Sequence, residues 1–474
     1  MRLALLLPLA YATDDHINKF LSRMGNDTLP PDSHVSTPAL AEAWLQRGLT
    51  ARDANAFEGA VRAQWRAAFH APFLARSWRH LGNALLWSAA FDLSCEYANE
   101  ARHAFSLAHF YLGDADAAKG LRALGAIGEL RACFDDVELD RAEATALRAL
   151  AALDADRGQA SAAAEAVAAY CDDLRGVRVE ARAFSPHIAR RVYAALRICG
   201  VVSLGSLIDD ERLTSVATLE TATRESFEGS QDTAPAKKKK KSWLGSRTRE
   251  APQKQAGLAA AALSDPRVRG RGRNRFEVEL PALELNASII AHPVLHPLVG
   301  LVLGTAGVEL DTVSSLVTYP GAELQELQAD TIDVSKQADL PHLPPHGVIA
   351  IVPLVPSDPT KNGGAQFELG SHVSRLREVP LRTRPALANA GDAYVYDLRV
   401  RRGDLRHVAS DPRPLLSLSY VKDWYVNAAN QPSHHTTAFE AVNDTTLQGL
   451  LGRVDARRHH EDLFAVRGVC DVVV

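Results

Sequence analysis

The side chains with the most distinctive chemistry in this chain are its five cysteines, its seventeen histidines and a run of lysines. Their spacing first excludes several chemistries. Cys95, Cys133, Cys171, Cys199 and Cys470 are odd in number and show no CxxC or CxH spacing, which argues against zinc ribbons and a disulfide framework and predicts buried free thiols. His342, His346, the pairs His434-His435 and His459-His460, and His292 and His296 beside prolines lack metal-ligand context, so turn or solvated histidines are expected. There is no GxSxG elbow, no GxxxxGK[ST] loop, no HExxH and no glycine-rich dinucleotide turn; Arg269-Gly270-Arg271-Gly272 is too sparse to count. Hydrolase and nucleotide chemistry are thereby disfavoured. The catalytic residues are not identified by any of these patterns.

The elements that must position any site belong to more than one domain. A length of 474 residues gives two to three domains at ~150 residues each. With 46% apolar and 23% charged residues and a formal charge of -4, wholesale disorder and global attraction to nucleic acid are excluded. Residues 1–12 combine Arg2, a short apolar run and an Ala10-Tyr11-Ala12 step, the pattern of a secretory signal, and sequons at Asn26, Asn286 and Asn443 fit it; the alternative is an apolar N-terminus packed on the domain. The lysine run points instead to a cytoplasmic or nuclear chain, so the compartment is open, with the secretory route slightly favoured. No run of ~18 apolar residues suits a membrane span.

Residues 13–187 are expected to form a helical domain, because the Ala- and Leu-rich text from Ala39 to Leu174 is apolar at three-and-four spacing. Trp78, Leu81, Gly82 and Leu85, then Ala101, Phe105 and Ala108, resemble the two helices of a tetratricopeptide repeat, with a weaker echo through Leu147, Leu150, Gly158, Ala163 and Val167. That resemblance implies a concave face for a protein segment; a plain helical bundle would show nearly the same pattern. From 188 onward come a helix at Ala189 to Leu196, an apolar run Cys199 to Leu204, and a helix opening at Asp209-Asp210-Glu211. A basic insertion at about 229–258, containing Lys237 to Lys241, is expected to be disordered; it serves as an electrostatic arm or is a solvated loop. Arg267, Arg269, Arg271, Arg273 and Arg275 extend the basic stretch. Beyond it the text alternates like strands at Phe276 to Leu280, Ala393 to Tyr396 and Leu416 to Tyr420, and residues 429–474 form a C-terminal tail. The expectation is an α+β multidomain chain: an all-α helical-repeat-like domain followed by an all-β barrel or sandwich.

Three segments in order resemble the phytanoyl-CoA dioxygenase family over about residues 188–428. They are Tyr319-Pro320-Gly321-Ala322 through Gln325, Gln328, Ala329 and Asp330; Asn362-Gly363-Gly364-Ala365-Gln366-Phe367-Glu368-Leu369-Gly370-Ser371-His372; and Gly391-Asp392-Ala393 with Asp397 through Arg413-Pro414, Leu416, Leu418, Ser419 and Tyr420. The resemblance implies a double-stranded β-helix, or jelly roll, an iron(II) held by a His-x-Asp pair and a distant histidine, and an arginine that grips 2-oxoglutarate. It places the aspartate on Asp330 and the cosubstrate arginine on Arg413, but puts Gln328 and Arg402 where the family carries its histidines.

An amide oxygen is a weak neutral ligand for iron(II), and a guanidinium puts a fixed positive charge beside the divalent ion. Iron(II) is therefore not expected, 2-oxoglutarate or another small carboxylate remains a candidate at Arg413, and an ion pair from Arg402 to Asp330 is expected to fill the metal's volume. The leading functional class is a degenerate, non-catalytic carboxylate-binding or protein-interaction module. The alternative is an active iron(II)/2-oxoglutarate-dependent dioxygenase hydroxylating a lipid, natural product or protein side chain, its metal site completed by Gln328 or by His372 or His407. A third reading, nucleic-acid binding through residues 233–256, predicts steep salt dependence.

Overall fold

The computed structural model describes residues 38–172, 178–228, 258–331, 344–425 and 450, apart from short breaks inside the first three of these ranges. The signal-like start, nearly all of the basic insertion and nearly all of the C-terminal tail lie outside the described residues, as does Cys470. By contact the chain divides into one unit of Met1–Val137 with Ala183–Arg190 and a second of Glu138–Arg182 with Arg191–Val474. No helix of the described residues is long and apolar enough to cross a membrane.

In the first unit, α1 (Pro38–Asp53), α2 (Phe57–His70), α3 (Ala75–Asp92), α4 (Cys95–Ser106) and α5 (Ala117–Ala126) follow one another. Trp78, Leu81 and Leu85 of α3 and Ala101, Phe105 and Ala108 at α4 and just beyond it are fully buried. A Cβ at Gly82 would stand 2.8 Å from the Phe105 ring, so only glycine permits this approach. These two helices pack against each other. The weaker echo falls on α6 (Val137–Ala155) and α7 (Ala160–Asp172) of the second unit, and Gly158 meets only its own neighbour Asp156, so it does not repeat the Gly82 packing.

The expected free thiols are corrected. Cys95 is bonded to Cys133 and Cys171 to Cys199, with Cα separations of 4.9 and 5.8 Å. Helix packing brings together cysteines 38 and 28 residues apart, a pairing that spacing alone does not encode.

Ser185 opens α8 (Pro186–Ile198), whose first turn is counted with the first unit and whose remainder with the second, its hydroxyl accepting the Ile188 N–H at 3.3 Å; in the second unit Asp209 caps α9 (Asp210–Glu228) through the Arg212 N–H at 2.9 Å. Between them lies β2 (Val201–Gly205), paired with the short β1 (Arg178–Glu180). The remaining strands are β3 (Val268–Gly270), β4 (Arg275–Glu279), β5 (Val308–Thr318), β6 (Gly347–Pro353), β7 (Ala365–Glu368), β8 (Thr383–Pro385), β9 (Ala393–Asp397), β10 (Arg402–Asp404) and β11 (Arg413–Lys422). The larger sheet has the order β1-β2-β9-β6-β11-β5-β4-β3 and the smaller β10-β7-β8, with Gln328 bridged to Arg402 at the free edge of β10. Within these, β5-β11-β6-β9 and the Gln328 segment-β10-β7-β8 are two four-stranded antiparallel layers, and the chain passes from one to the other at each step except β7 to β8, which are neighbours in the smaller layer. That is jelly-roll order.

Period two along the strands separates two environments. On the outer face, Val192 and Leu196 of α8 and Leu298 and Val302 of α10 (Leu295–Leu303) meet Leu204, Val348 and Val395, while Phe227 of α9 packs with Val278 and Tyr319. On the inner face, Arg275, Glu277, Thr312, Thr318 and Ser417 line a cavity. The apolar core thus lies between sheet and helices, and the barrel interior is polar.

Candidate functional site

The chain leaves β5 through the turn Tyr319-Pro320-Gly321, where Gly321 takes φ +80°, and runs back along β10. Gln328 and Arg402 exchange backbone hydrogen bonds of 2.9 Å in both directions, and the Asp330 N–H donates to the Leu398 carbonyl at 3.0 Å. This register sets Asp330 opposite the end of β9. The Tyr396 hydroxyl donates to Asp330 Oδ2 at 2.8 Å, and Arg402 donates through Nε to Oδ2 at 2.9 Å and through a terminal nitrogen to Oδ1 at 3.3 Å. The Arg402 guanidinium also lies 5.3 Å from the centre of the Tyr396 ring. Burial raises the Tyr396 pKa well above its ordinary value, with Asp330 adding to the effect against Arg402, so the phenol stays a donor. Burial lowers the Arg402 pKa, but the facing Asp330 carboxylate more than offsets it and holds the guanidinium charged. The pair expected between Arg402 and Asp330 is therefore present, with side-chain exposures of 16% and 24%.

Arg413 lies in a second, deeper cluster. It is fully buried; one nitrogen donates to Asp404 Oδ2 at 2.6 Å and to Thr318 Oγ1 at 3.1 Å, and another to the Gly363 carbonyl. The Asn362-Gly363-Gly364 motif serves this contact, since a Cβ at Gly363 would meet the Leu405 carbonyl at 2.4 Å. Arg275 approaches the same Asp404 oxygen at 3.8 Å and donates to the Leu405 carbonyl at 3.0 Å. Burial lowers the Arg275 pKa, Asp404 opposes this, and Arg413 adds to it. Asp404 therefore occupies the carboxylate position before two guanidiniums.

The remaining candidates lie elsewhere. His372 is buried with Nε2 at 3.1 Å from the Arg197 carbonyl, and burial takes its pKa down to about 4. His407 is fully buried, its pKa lowered by burial and then by Arg413. Neither lines the cavity that Asp330 lines. Among the described residues no group of three or more His, Cys, Asp or Glu is arranged to hold a metal ion. The donor set at Asp330 does not fit iron(II): one carboxylate, already bonded to a guanidinium and a phenol, stands beside an amide and a fixed cation. The Arg413 seat does not fit 2-oxoglutarate while Asp404 fills it.

Sequence reasoning missed Tyr396, Asp404 and Arg275. Tyr396 was legible in part, because alternation in Ala393-Tyr394-Val395-Tyr396 turns both tyrosines to one face. Asp404, two residues after Arg402, shares its face by the same rule. Arg275 had been read as part of a basic stretch, and its role depends on contacts with residues about 130 positions away.

No family model matches this sequence, and no curated protein matches it. Similar solved structures include the non-heme alpha ketoglutarate dependent epimerase SnoN from nogalamycin biosynthesis, 15% identical over 50% of this chain and 83% of that one, at a TM-score of 0.32. The non-heme alpha ketoglutarate dependent carbocyclase SnoK, also from nogalamycin biosynthesis, is 15% identical over 52% and 87%, at 0.32. AviO1 from Streptomyces viridochromogenes Tue57 is 14% identical over 50% and 96%, at 0.31. The jelly-roll assignment rests on the strand order itself, and the phytanoyl-CoA dioxygenase likeness on the three sequence segments.

Proposed function

We propose that the jelly-roll unit is a non-catalytic relative of the iron(II)/2-oxoglutarate oxygenases, a binding module and not a hydroxylase. The observation that carries this reading is the Arg402–Asp330 pair. A metal-binding aspartate needs a divalent cation to balance its charge; here a guanidinium that never deprotonates supplies that balance from the position of a lost ligand. The Arg413–Asp404 pair supports the same reading at the cosubstrate end and moves it away from carboxylate binding, because a dicarboxylate would have to displace a buried internal one. The two disulfides, with the signal-like start, support folding in an oxidising compartment.

The test is iron(II) titration of the purified chain, together with succinate release in iron(II), 2-oxoglutarate and ascorbate. No stoichiometric binding and no succinate above a metal-free control are expected. The Gln328→His/Arg402→His double variant is the positive control, since it places two imidazoles beside Asp330 and should bind cobalt(II) with a visible ligand-field band. Tight iron(II) binding or uncoupled turnover by the unmodified chain would establish the active-oxygenase alternative.

A further inference from the structure

The polar chamber inside the jelly roll has a volume of about 340 Å³, at the small end of the ~300–1,000 Å³ typical of ligand pockets. Its charged lining consists of three cations and three carboxylates, and these face one another. Arg402 holds Asp330; Arg271 holds Glu277, with Nε at 2.6 Å; and Arg275 stands over Asp404, which Arg413 anchors from behind. A charged ligand entering here would have to break one of these pairs or remain unpaired in a largely buried space, a cost that an uncharged ligand avoids.

Uncharged hydrogen-bonding capacity remains available. The Thr312 and Ser417 hydroxyls and the Gln328 amide line the chamber, and none makes a side-chain hydrogen bond among the described residues. As residues Thr312 and Ser417 are almost wholly buried, 8% and 6% exposed. Beside them, Ile349 on the strand next to Ser417 in the same sheet, together with Leu398, supplies apolar surface. Apolar surface interleaved with hydroxyls on one layer, and an amide on the facing layer, matches a ring that presents C–H and hydroxyl groups together.

We infer that the chamber binds a neutral, polyhydroxylated ring, a saccharide unit or cyclic polyol, through Thr312, Ser417 and Gln328, with the three ion pairs serving as its fixed walls. This rests on the non-catalytic reading in one respect, that Arg402 stays paired with Asp330. It therefore calls for a test that does not depend on metal.

The full chain in EDTA is probed by saturation-transfer NMR and thermal shift with methyl α-glucoside, methyl β-glucoside and myo-inositol, and in parallel with succinate, inorganic phosphate and spermidine. Saturable transfer to one of the neutral rings at millimolar concentration is expected, with a raised melting temperature and no response to the three ions. The glycosides against myo-inositol separate a saccharide from a free polyol. Thr312→Val/Ser417→Ala should weaken the neutral ligand at least tenfold. Substitution of the exposed Gln328 by alanine, Gln328→Ala, leaves the barrel wall intact, should weaken the ligand severalfold and so covers any folding failure of the double variant. Binding of succinate or phosphate in preference, or failure of all three neutral rings, would overturn the assignment. Failure of the non-catalytic reading is seen separately, in the iron(II) titration.

Discussion

Replacing Asp404 with alanine removes the carboxylate beneath two guanidiniums, and the structure sets the size of the effect. Arg413 is fully buried and the Arg275 side chain is 6% exposed, so neither can recover hydration in place. Removing one partner of a buried pair costs about 3–5 kcal/mol because the other charge is left uncompensated. For a unit of this size each kcal/mol moves the melting temperature by roughly 2–4 °C, so Asp404→Ala should lower it by something on the order of 10 °C. Asp330→Ala is the control. Its partner Arg402 is 16% exposed, can turn toward water, and still has the Tyr396 ring, so a smaller loss than that of Asp404→Ala is expected. Calorimetry of both variants, with formate added to the first, is the assay. Formate entering the vacated position should restore part of the Asp404→Ala loss and do nothing for Asp330→Ala. If Asp404→Ala costs no more than Asp330→Ala, or formate has no effect, Asp404 is not an internal occupant of a carboxylate seat.

Two further outcomes concern the rest of the chain. Burial raises the Glu100 carboxyl, which accepts the His187 N–H at 3.0 Å, to about 8 from 4.5. The folded state therefore holds a proton that the unfolded chain releases; the contribution is full below pH 4.5, falls as pH rises, and is gone above pH 8. Chemical denaturation across that window should show Glu100→Gln gaining on the unmodified chain as pH increases, and a gain in the opposite direction would refute it. Thiol titration of the denatured, unreduced chain should find one reactive cysteine, Cys470, and five after reduction; three before reduction would show that one cystine does not form, and five that neither does.

Much of the second unit was legible because local signals and the fold agree there. The cap at Asp209, the apolar run that became β2, and the alternation at Ala393 to Tyr396 each specify an element without reference to distant residues. The Arg402–Asp330 pair was legible for a different reason: a carboxylate that has lost its metal requires a new counter-charge, and the substituted position offered one. The Asp404 seat was not, since β10 is three residues long and carries no periodicity of its own. Its meaning comes from Arg413 on the other layer and Arg275 on a strand far earlier in the chain. The disulfides were missed in the same way, being fixed by which helix ends meet.

The apolar packing and the polar chamber lie on opposite faces of one sheet, which constrains what each can tolerate. On β11, Leu416, Leu418 and Tyr420 are buried on the helix side, where the Tyr420 hydroxyl donates to the Ile290 carbonyl at 2.6 Å, while Ser417 faces the chamber. A slip of one residue would exchange the two sets, placing leucines against the ion pairs and serines against α8 and α10, so the apolar face fixes the register that the polar face depends on. Helix-side changes should therefore be read first as loss of fold. Chamber-side changes at Thr312 or Ser417 remove hydroxyls that bond to no neighbour, and their expected signature is altered ligand binding with the melting temperature nearly unchanged.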